Sequence, residues 1–336
     1  VNGKVVMEAE GQLGDRDSTE PTYVLATEAG KSYDLEVRYV AGKGINALMF
    51  DMGNTVHFDD YQLLKQIRPA DVVVFVGGIS PGLEGEEMPV QIEGFRGGDR
   101  TDIQLPRVQR DLIAKIHNAG KRIVYINCSG SAMAMVPEAE HCDAMLQVFY
   151  PGQMGGQAVA ETLFGDNNPS GRLPLTFYKD TLQMPSFLDY SMKGRTYRYM
   201  TDKPQFCFGH GLSYTTFAYG EAQLVAADYT ADGKMSKEKI IIPVTNTGTR
   251  DGAEVVQLYV QRPDDKEGPV KTLRGFKRVS IAKGETVNVE FAIDDETFAW
   301  FDTKTGQMMA LSGKYNLLYG GTSDDECLKK IEVVRP

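Results

Sequence analysis

The acidic stretch Leu83–Met88 holds the residue types best suited to chemistry in this chain. Its sequence, LEGEEM, carries three carboxylates, at Glu84, Glu86 and Glu87. Crowding of like charges favours a neutral carboxylic acid among them, and such a group can donate a proton to a substrate. The alternative interpretation is a solvated acidic turn, because turns of this kind are common on protein surfaces.

An apolar run of strand length precedes the acidic stretch. Residues Asp71–Val76, DVVVFV, are typical of a parallel strand buried on both faces. Gly77 and Gly78 end this run and release the chain into a turn. Ligands of open α/β sheets bind at the carboxyl ends of strands, so a functional loop is expected here.

Composition and charge exclude several classes of partner. The 336 residues are 42% hydrophobic and 24% charged, and the net charge is -10 without any Lys/Arg run. Nucleic acids and anionic membranes are therefore not expected as partners. No stretch approaches the ~20 apolar residues of a membrane span. The four cysteines and four histidines show no metal-ligand spacing, so we expect no metal and no cofactor.

Two other motifs do not fit the chemistry that they suggest. Ser129–Gly130–Ser131 follows a predicted strand, but it departs from the G-x-S-x-G pattern of serine hydrolases, and no His partner is evident. The glycines between residues 77 and 85 match neither a dinucleotide fingerprint nor a P-loop.

Residues 1–54 are predicted to be the end of a β-sandwich domain. Ser32–Val40 alternates apolar and polar residues over a strand length, and Ala47–Phe50 is a second candidate strand. The chain opens with Val1–Lys4, VNGK, which is neither an initiator Met nor a signal peptide. We therefore expect a C-terminal portion of a larger protein.

The remaining residues predict an α/β domain, a linker and an all-β domain. Residues 55–188 alternate helices and strands, which indicates a parallel sheet with helices on both faces. Residues 189–217 are rich in aromatic side chains and are expected to form a crossover linker pinned to both neighbours. Short alternating strands in residues 218–336 predict a fibronectin-III-like β-sandwich with Trp300 in its core.

Three stretches carry a resemblance to a known family. Tyr150–Phe177, which begins YPGQMGGQ, closely resembles glycoside hydrolase family 3 in its β-xylosidase and β-glucosidase branches. Arg198–Tyr199 with Phe208–Thr215 looks like the aromatic crossover of that family. Thr245–Gly248 with Gly252–Tyr259 resembles the start of its fibronectin-III-like module, and Leu273–Phe276 continues the match. Residues 1–54 resemble the end of a sugar-binding β-sandwich of the anthrax protective-antigen kind.

The resemblance implies a retaining exo-acting β-glycosidase with two catalytic carboxylates. In the family the nucleophile is an Asp on an N-terminal (β/α)8 barrel, which this chain lacks, so we expect the chain alone to be inactive. The general acid/base is a Glu on a loop of the α/β domain. Glu84–Gly85–Glu86 matches the Glu-x-Glu pattern of the xylosidase-like branch, with Asp99–Arg100 downstream.

This match assigns Glu86 as the general acid/base. The stretch from Glu87 to Gly98 is longer than the usual spacing in the family, so Glu87 and Glu93 are alternatives. Glu93 is included because Glu93–Gly94–Phe95 imitates the motif of another branch.

The resemblance also implies a β-linked oligosaccharide or glycoside as substrate, the missing barrel portion as partner, and a periplasmic or extracellular location. The pattern Leu83–Met88 favours a xyloside over a glucoside. Two alternatives stay open at this point: a non-catalytic carbohydrate-binding or scaffolding portion, and a flavodoxin-like small-molecule binder. The sequence does not determine the oligomeric state.

Overall fold

The computed structural model describes residues 1–8, 23–40, 42, 52–53, 59–85, 87–228 and 237–336. The chain forms two compact units, residues 1–68 and residues 69–336. No helix in the described ranges has the length and apolar character needed to cross a membrane. The domain boundaries at residues 54, 188 and 217 stay predictions.

The elements follow one another along the chain in the order helix, mixed α/β region and long all-β region. Their bounds are α1 (Asp60–Ile67), β1 (Val72–Gly78), β2 (Gln91–Ile92), β3 (Phe95–Arg96), β4 (Asp99–Arg100), α2 (Arg107–Asn118), β5 (Arg122–Cys128), α3 (Val136–His141), β6 (Ala144–Gln147), α4 (Gly155–Phe164), α5 (Thr196–Tyr199), β7 (Phe217–Tyr219), β8 (Gln223–Val225), β9 (Lys239–Asn246), β10 (Gly252–Gln261), β11 (Thr272–Ile281), β12 (Thr286–Ala292), β13 (Ala299–Asp302), β14 (Gln307–Ala310), β15 (Gly313–Gly320) and β16 (Lys329–Arg335).

The strand predicted at Ser32–Val40 is wrong, because these residues form no strand in the part of the chain that the structure describes. Leu35 and Val37 are about half exposed, and an alternating pattern forms a strand only where a partner completes the ladder. The second candidate strand, Ala47–Phe50, lies outside the described residues. Helix α1 begins after Asp59, whose side chain caps it by accepting a hydrogen bond from the Gln62 amide.

A three-stranded parallel sheet in the order β1-β5-β6 confirms the predicted α/β architecture. Helix α2 packs against it through Ile113 and Ile116, which are fully buried. The Gln109 side chain of α2 also donates to the Gly78 carbonyl and accepts from the Gly78 amide, both at 2.7 Å. These two bonds fix the carboxyl end of β1 against the helix.

The prediction that β1 is buried on both faces is wrong. The face that contains Val72, Val74 and Val76 is exposed, and Val76 has 66% of its surface open. The apolar run correctly predicts a strand, but it does not predict whether helices cover one face of the sheet or both. That coverage depends on elements distant in the chain.

The second half of the larger unit is the predicted β-sandwich. One sheet has the order β11-β10-β15-β16, and the other has the order β12-β9-β7 with β8 also paired to β9. Ile242 of β9 and Leu258 of β10 belong to one buried core between the sheets. Trp300 lies in this core as predicted, and its Nε1 donates to Asp265 at 2.5 Å.

The aromatic crossover segment contacts both neighbours. Tyr197 stacks on Phe208 at 4.4 Å between ring centroids and meets Tyr259 of β10 edge-on at 5.8 Å. Its backbone amide donates to the Thr176 hydroxyl at 3.0 Å, on the α/β side. Ring stacking and hydrogen bonding thus order a segment that lacks long helices and strands.

A buried ion pair joins the α/β side to the sandwich. Arg172 Nη2 donates to both carboxylate oxygens of Glu254 on β10, at 2.9 and 3.1 Å. The two side chains are 8% and 5% exposed. Breaking a buried pair leaves an uncompensated charge, whereas replacing both partners with apolar residues removes that penalty.

We therefore expect Arg172→Met to lower the free energy of unfolding by about 3–5 kcal/mol in urea titrations of this chain. The double variant Arg172→Met/Glu254→Leu should recover much of that loss. Equal losses in the single and double variants would contradict the role given to the ion pair.

Candidate active site

The acidic stretch Leu83–Met88, which we call the acidic loop, follows the carboxyl end of β1. Gly78 has φ +128, and a Cβ there would lie 1.9 Å from the Cys128 carbonyl oxygen of β5, so only glycine fits. The Ser80 carbonyl then accepts from the amides of Leu83 and Glu84, at 2.9 and 3.1 Å. This single turn brings Glu84 over the carboxyl edge of the sheet, where ligands of such sheets bind.

Glu84 is held by two side chains. The Ser131 hydroxyl, in the loop after β5, donates to Glu84 Oε1 at 2.8 Å. Arg100 Nη1, on β4, donates to the same hydroxyl at 2.6 Å and lies 3.6 Å from Glu84 Oε1. Burial lowers the pKa of Arg100, and the charge of Glu84 opposes that shift. We call Glu84, Arg100 and Ser131 the loop clasp.

A buried chain of polar side chains supports the clasp from below. The Tyr125 hydroxyl donates to the Asn127 side chain at 2.9 Å, and Asn127 donates to Ser129 Oγ at 3.0 Å. Ser129 Oγ in turn donates to the Ser131 carbonyl at 2.9 Å. Burial raises the pKa of Tyr125, so its hydroxyl stays a neutral donor. Satisfied buried networks of this kind define one arrangement of the loop above them.

The predicted acid/base residues occupy different positions. Glu86 lies outside the described residues. Glu87 is exposed and has φ +52, in the left-handed region. Glu93 lies in the turn between β2 and β3, is 73% exposed, and approaches Arg107 Nη1 at 3.8 Å. The structure thus places Glu93 on a hairpin turn beside α2, whereas Glu84 contacts the loop after β5.

The residues between Glu87 and Gly98 form two tight hairpins instead of an open loop. Strands β2, β3 and β4 make a small antiparallel sheet, and the Met88 amide donates to the Gly97 carbonyl at 3.0 Å. This compact fold explains how the longer spacing can be accommodated next to the acidic residues.

Sequence reasoning missed the contribution of Ser131 and Arg100. In the sequence, Ser131 stands out only as part of a nucleophile-like motif, whereas its hydroxyl donates to a carboxylate in the structure. Asp99–Arg100 stands out only for its place in the family pattern. The opposite charges of Glu84 and Arg100, 16 residues apart in the sequence, are the one available sign of this contact. No local pattern links either residue to Ser131.

Two further features lie outside the acidic loop. In residues 59–85, 87–228 and the other described ranges, no group of three or more His, Cys, Asp or Glu side chains could hold a metal. A cleft lined by His117, Lys121, His141 and Asp143 lies at the amino ends of β5 and β6. That is the opposite edge from the acidic loop.

Gly94 and Gly98 offer a matched test of the loop. Both have φ +88, but a Cβ on Gly94 would meet nothing within 4 Å, whereas a Cβ on Gly98 would lie 1.6 Å from the Gly85 carbonyl oxygen. Alanine at either position should carry the same left-handed strain of about 1–2 kcal/mol. Only Gly98→Ala must also displace the acidic loop.

We expect Gly98→Ala to speed hydrogen exchange of the Met88 amide well beyond the effect of Gly94→Ala. It should also cost about 1–3 kcal/mol more in the free energy of unfolding. Equal effects of the two variants would mean that Gly98 does not hold the loop.

Comparison with known proteins gives the chain a context. Residues 17–214 match the glycosyl hydrolase family 3 C-terminal domain, and residues 254–323 match a fibronectin type III-like domain. A xylan 1,4-beta-xylosidase of Xylanibacter ruminicola is 49% identical over 94% of this chain and 36% of that protein. A periplasmic beta-glucosidase of Salmonella typhimurium is 35% identical over 77% of this chain and 34% of that protein.

A solved β-glucosidase of Erythrobacter marinus has the same fold, with a TM-score of 0.68 and 31% identity over 82% of this chain and 36% of that one. The chain therefore spans about a third of the length of these relatives. Since the first family model matches more than half of the residues, this chain belongs to glycosyl hydrolase family 3 and carries the C-terminal domain of that family followed by a fibronectin type III-like domain.

Proposed function

We propose that this chain is the C-terminal part of a retaining exo-acting β-glycosidase and that it supplies the general acid/base, Glu86. The observation that carries the proposal is the acidic loop at the carboxyl edge of the sheet, inside the segment that matches the family model. Glu87 and Glu93 remain the alternatives for the same role.

The chemistry requires two carboxyl groups. In a retaining glycosidase they lie about 5–5.5 Å apart, one acting as nucleophile and the other as an acid that later serves as base. Glu86 would protonate the departing glycosidic oxygen and then remove a proton from the water that attacks the glycosyl-enzyme. The neighbouring carboxylates Glu84 and Glu87 would favour the protonated form of Glu86 in the first step.

We propose that the nucleophile lies in a further part of the intact protein, which corresponds to the length of the relatives that this chain does not match. The chain covers 36% of the xylosidase and 34% of the β-glucosidase, which leaves room for a catalytic barrel in each. An acid carried on a loop from a second domain would complete the site when that domain closes over the sugar.

A β-xyloside is the favoured substrate. The 49% identical relative is a xylan 1,4-beta-xylosidase, and the LEGEEM pattern is of the xylosidase-like kind. We place the protein in the periplasm or outside the cell, in line with the periplasmic beta-glucosidase among its relatives.

The isolated chain should hydrolyse nothing. Without a nucleophile, an acid/base residue cannot form the glycosyl-enzyme intermediate. Assays of residues 1–336 with aryl β-xylosides and β-glucosides should give the buffer rate. Turnover that follows the purity of the polypeptide would contradict this expectation.

In the intact enzyme, Glu86→Ala should slow hydrolysis most for substrates with poor leaving groups, because these need protonation. General acid/base assistance is typically worth about 10²–10⁴-fold, so steady-state rates will show the effect. An aryl glycoside with an acidic phenol needs no such help, so its glycosyl-enzyme should accumulate. Azide needs no base, and it should restore turnover and yield a glycosyl azide of retained configuration.

Glu87→Ala and Glu93→Ala serve as controls, with smaller losses and no rescue by azide. Rescue of either control, together with an unresponsive Glu86→Ala, would move the acid/base to that residue. Absence of rescue in all three variants would overturn the assignment of the acidic loop.

A further inference from the structure

We propose that the loop clasp of Glu84, Arg100 and Ser131 is a positioning device that sets where the acid/base carboxyl meets the glycosidic oxygen. The inference rests on the proposed function and deepens it. None of the three residues is required to touch the substrate; each acts through the loop segment that it holds.

The first support is that Glu84 is already engaged by other groups. Its Oε1 accepts from Ser131 at 2.8 Å and faces Arg100 Nη1 at 3.6 Å, and the side chain is 25% exposed. A carboxylate that accepts hydrogen bonds from a hydroxyl and faces a guanidinium is suited to hold a loop. Its Oε1 is therefore already occupied by the Ser131 hydroxyl and the guanidinium of Arg100.

The second support is that one guanidinium joins three segments. Arg100 Nη1 donates to Ser131 Oγ and, at 3.2 Å, to the Ala132 carbonyl, both in the loop after β5. Its Nε donates to the Asp102 carbonyl at 3.3 Å, and its Nη1 faces Glu84 on the acidic loop. The Ala134 amide donates to the Ile103 carbonyl at 2.8 Å and strengthens the same junction.

The third support is that the acidic loop is anchored on both sides of its central residues. Glu84 is fixed by the clasp, and Gly85 packs against the backbone of Gly98, directly before β4. Downstream, the Met88 amide is bonded to Gly97. In sequence, Glu86 and Glu87 lie between these anchors, and Arg100 belongs to the hairpin that provides the downstream anchor.

The expected consequence is specific to proton transfer. Misplacing a catalytic group by about 1 Å can cost about 100-fold in rate. A displaced acid slows the first step, which kcat/KM reports, only for substrates whose leaving group needs a proton. Loosening the clasp should therefore steepen the dependence of rate on leaving-group basicity.

The test uses the intact enzyme with Ser131→Ala, Glu84→Gln and Arg100→Lys. We expect kcat/KM for an aryl β-xyloside with a poor leaving group to fall by about 10- to 100-fold, with little change for an activated phenol. Ser131→Thr keeps the hydroxyl and should restore most of the rate. Arg172→Met, which breaks the buried ion pair with Glu254, is the control for lost stability alone.

Each outcome decides the proposal. If a clasp variant slows both substrates equally and lowers Tm, as expected of the Arg172→Met control, the positioning role of the clasp is overturned. The proposed function still stands in that case if azide rescues Glu86→Ala. Azide rescue of Glu84→Ala makes Glu84 the acid/base and also overturns the clasp. If azide rescues none of the alanine variants of Glu84, Glu86, Glu87 and Glu93, the proposed function fails, and the positioning role of the clasp fails with it.

Discussion

The arrangement of the loops at the carboxyl edge of the sheet depends on the contacts of the Arg100 guanidinium. This guanidinium is largely buried, and its donors reach the Ser131 hydroxyl and two backbone carbonyls while it faces the Glu84 carboxylate. A lysine in its place would present a point charge without the planar fork that allows these contacts together. Burying such a charge is costly unless it is paired, so the loops that supply its partners have few alternative arrangements.

That junction rests on the interior of the parallel sheet. The chain of hydrogen bonds from Tyr125 through Asn127 and Ser129 to Ser131 begins on β5, between β1 and β6. Helix α2 fixes the neighbouring strand through both backbone groups of Gly78. The sheet and helix are thus rigid supports, and the loops above them carry the carboxylates, as is usual for functional sites.

Within the larger unit, the α/β part is also joined to the β-sandwich. Tyr197 stacks between the two parts, and the Arg172–Glu254 pair is buried where they meet. Loss of either feature would lower the free energy of unfolding, because one is an aromatic ring with a large contact area and the other is a buried charge pair. Both features therefore help to fix the orientation of the two parts.

The amino-acid sequence by itself determined much of this protein. The alternation of helices and strands in the α/β part, the sandwich core around Trp300 and the family resemblance follow from local patterns, because periodicity and glycine signals act over a few residues. Only the tertiary structure decided that one face of β1 is exposed and that Ser131 holds Glu84, 47 residues away. A burial pattern and a long-range hydrogen bond depend on which distant segments meet in space, and no local propensity encodes that choice.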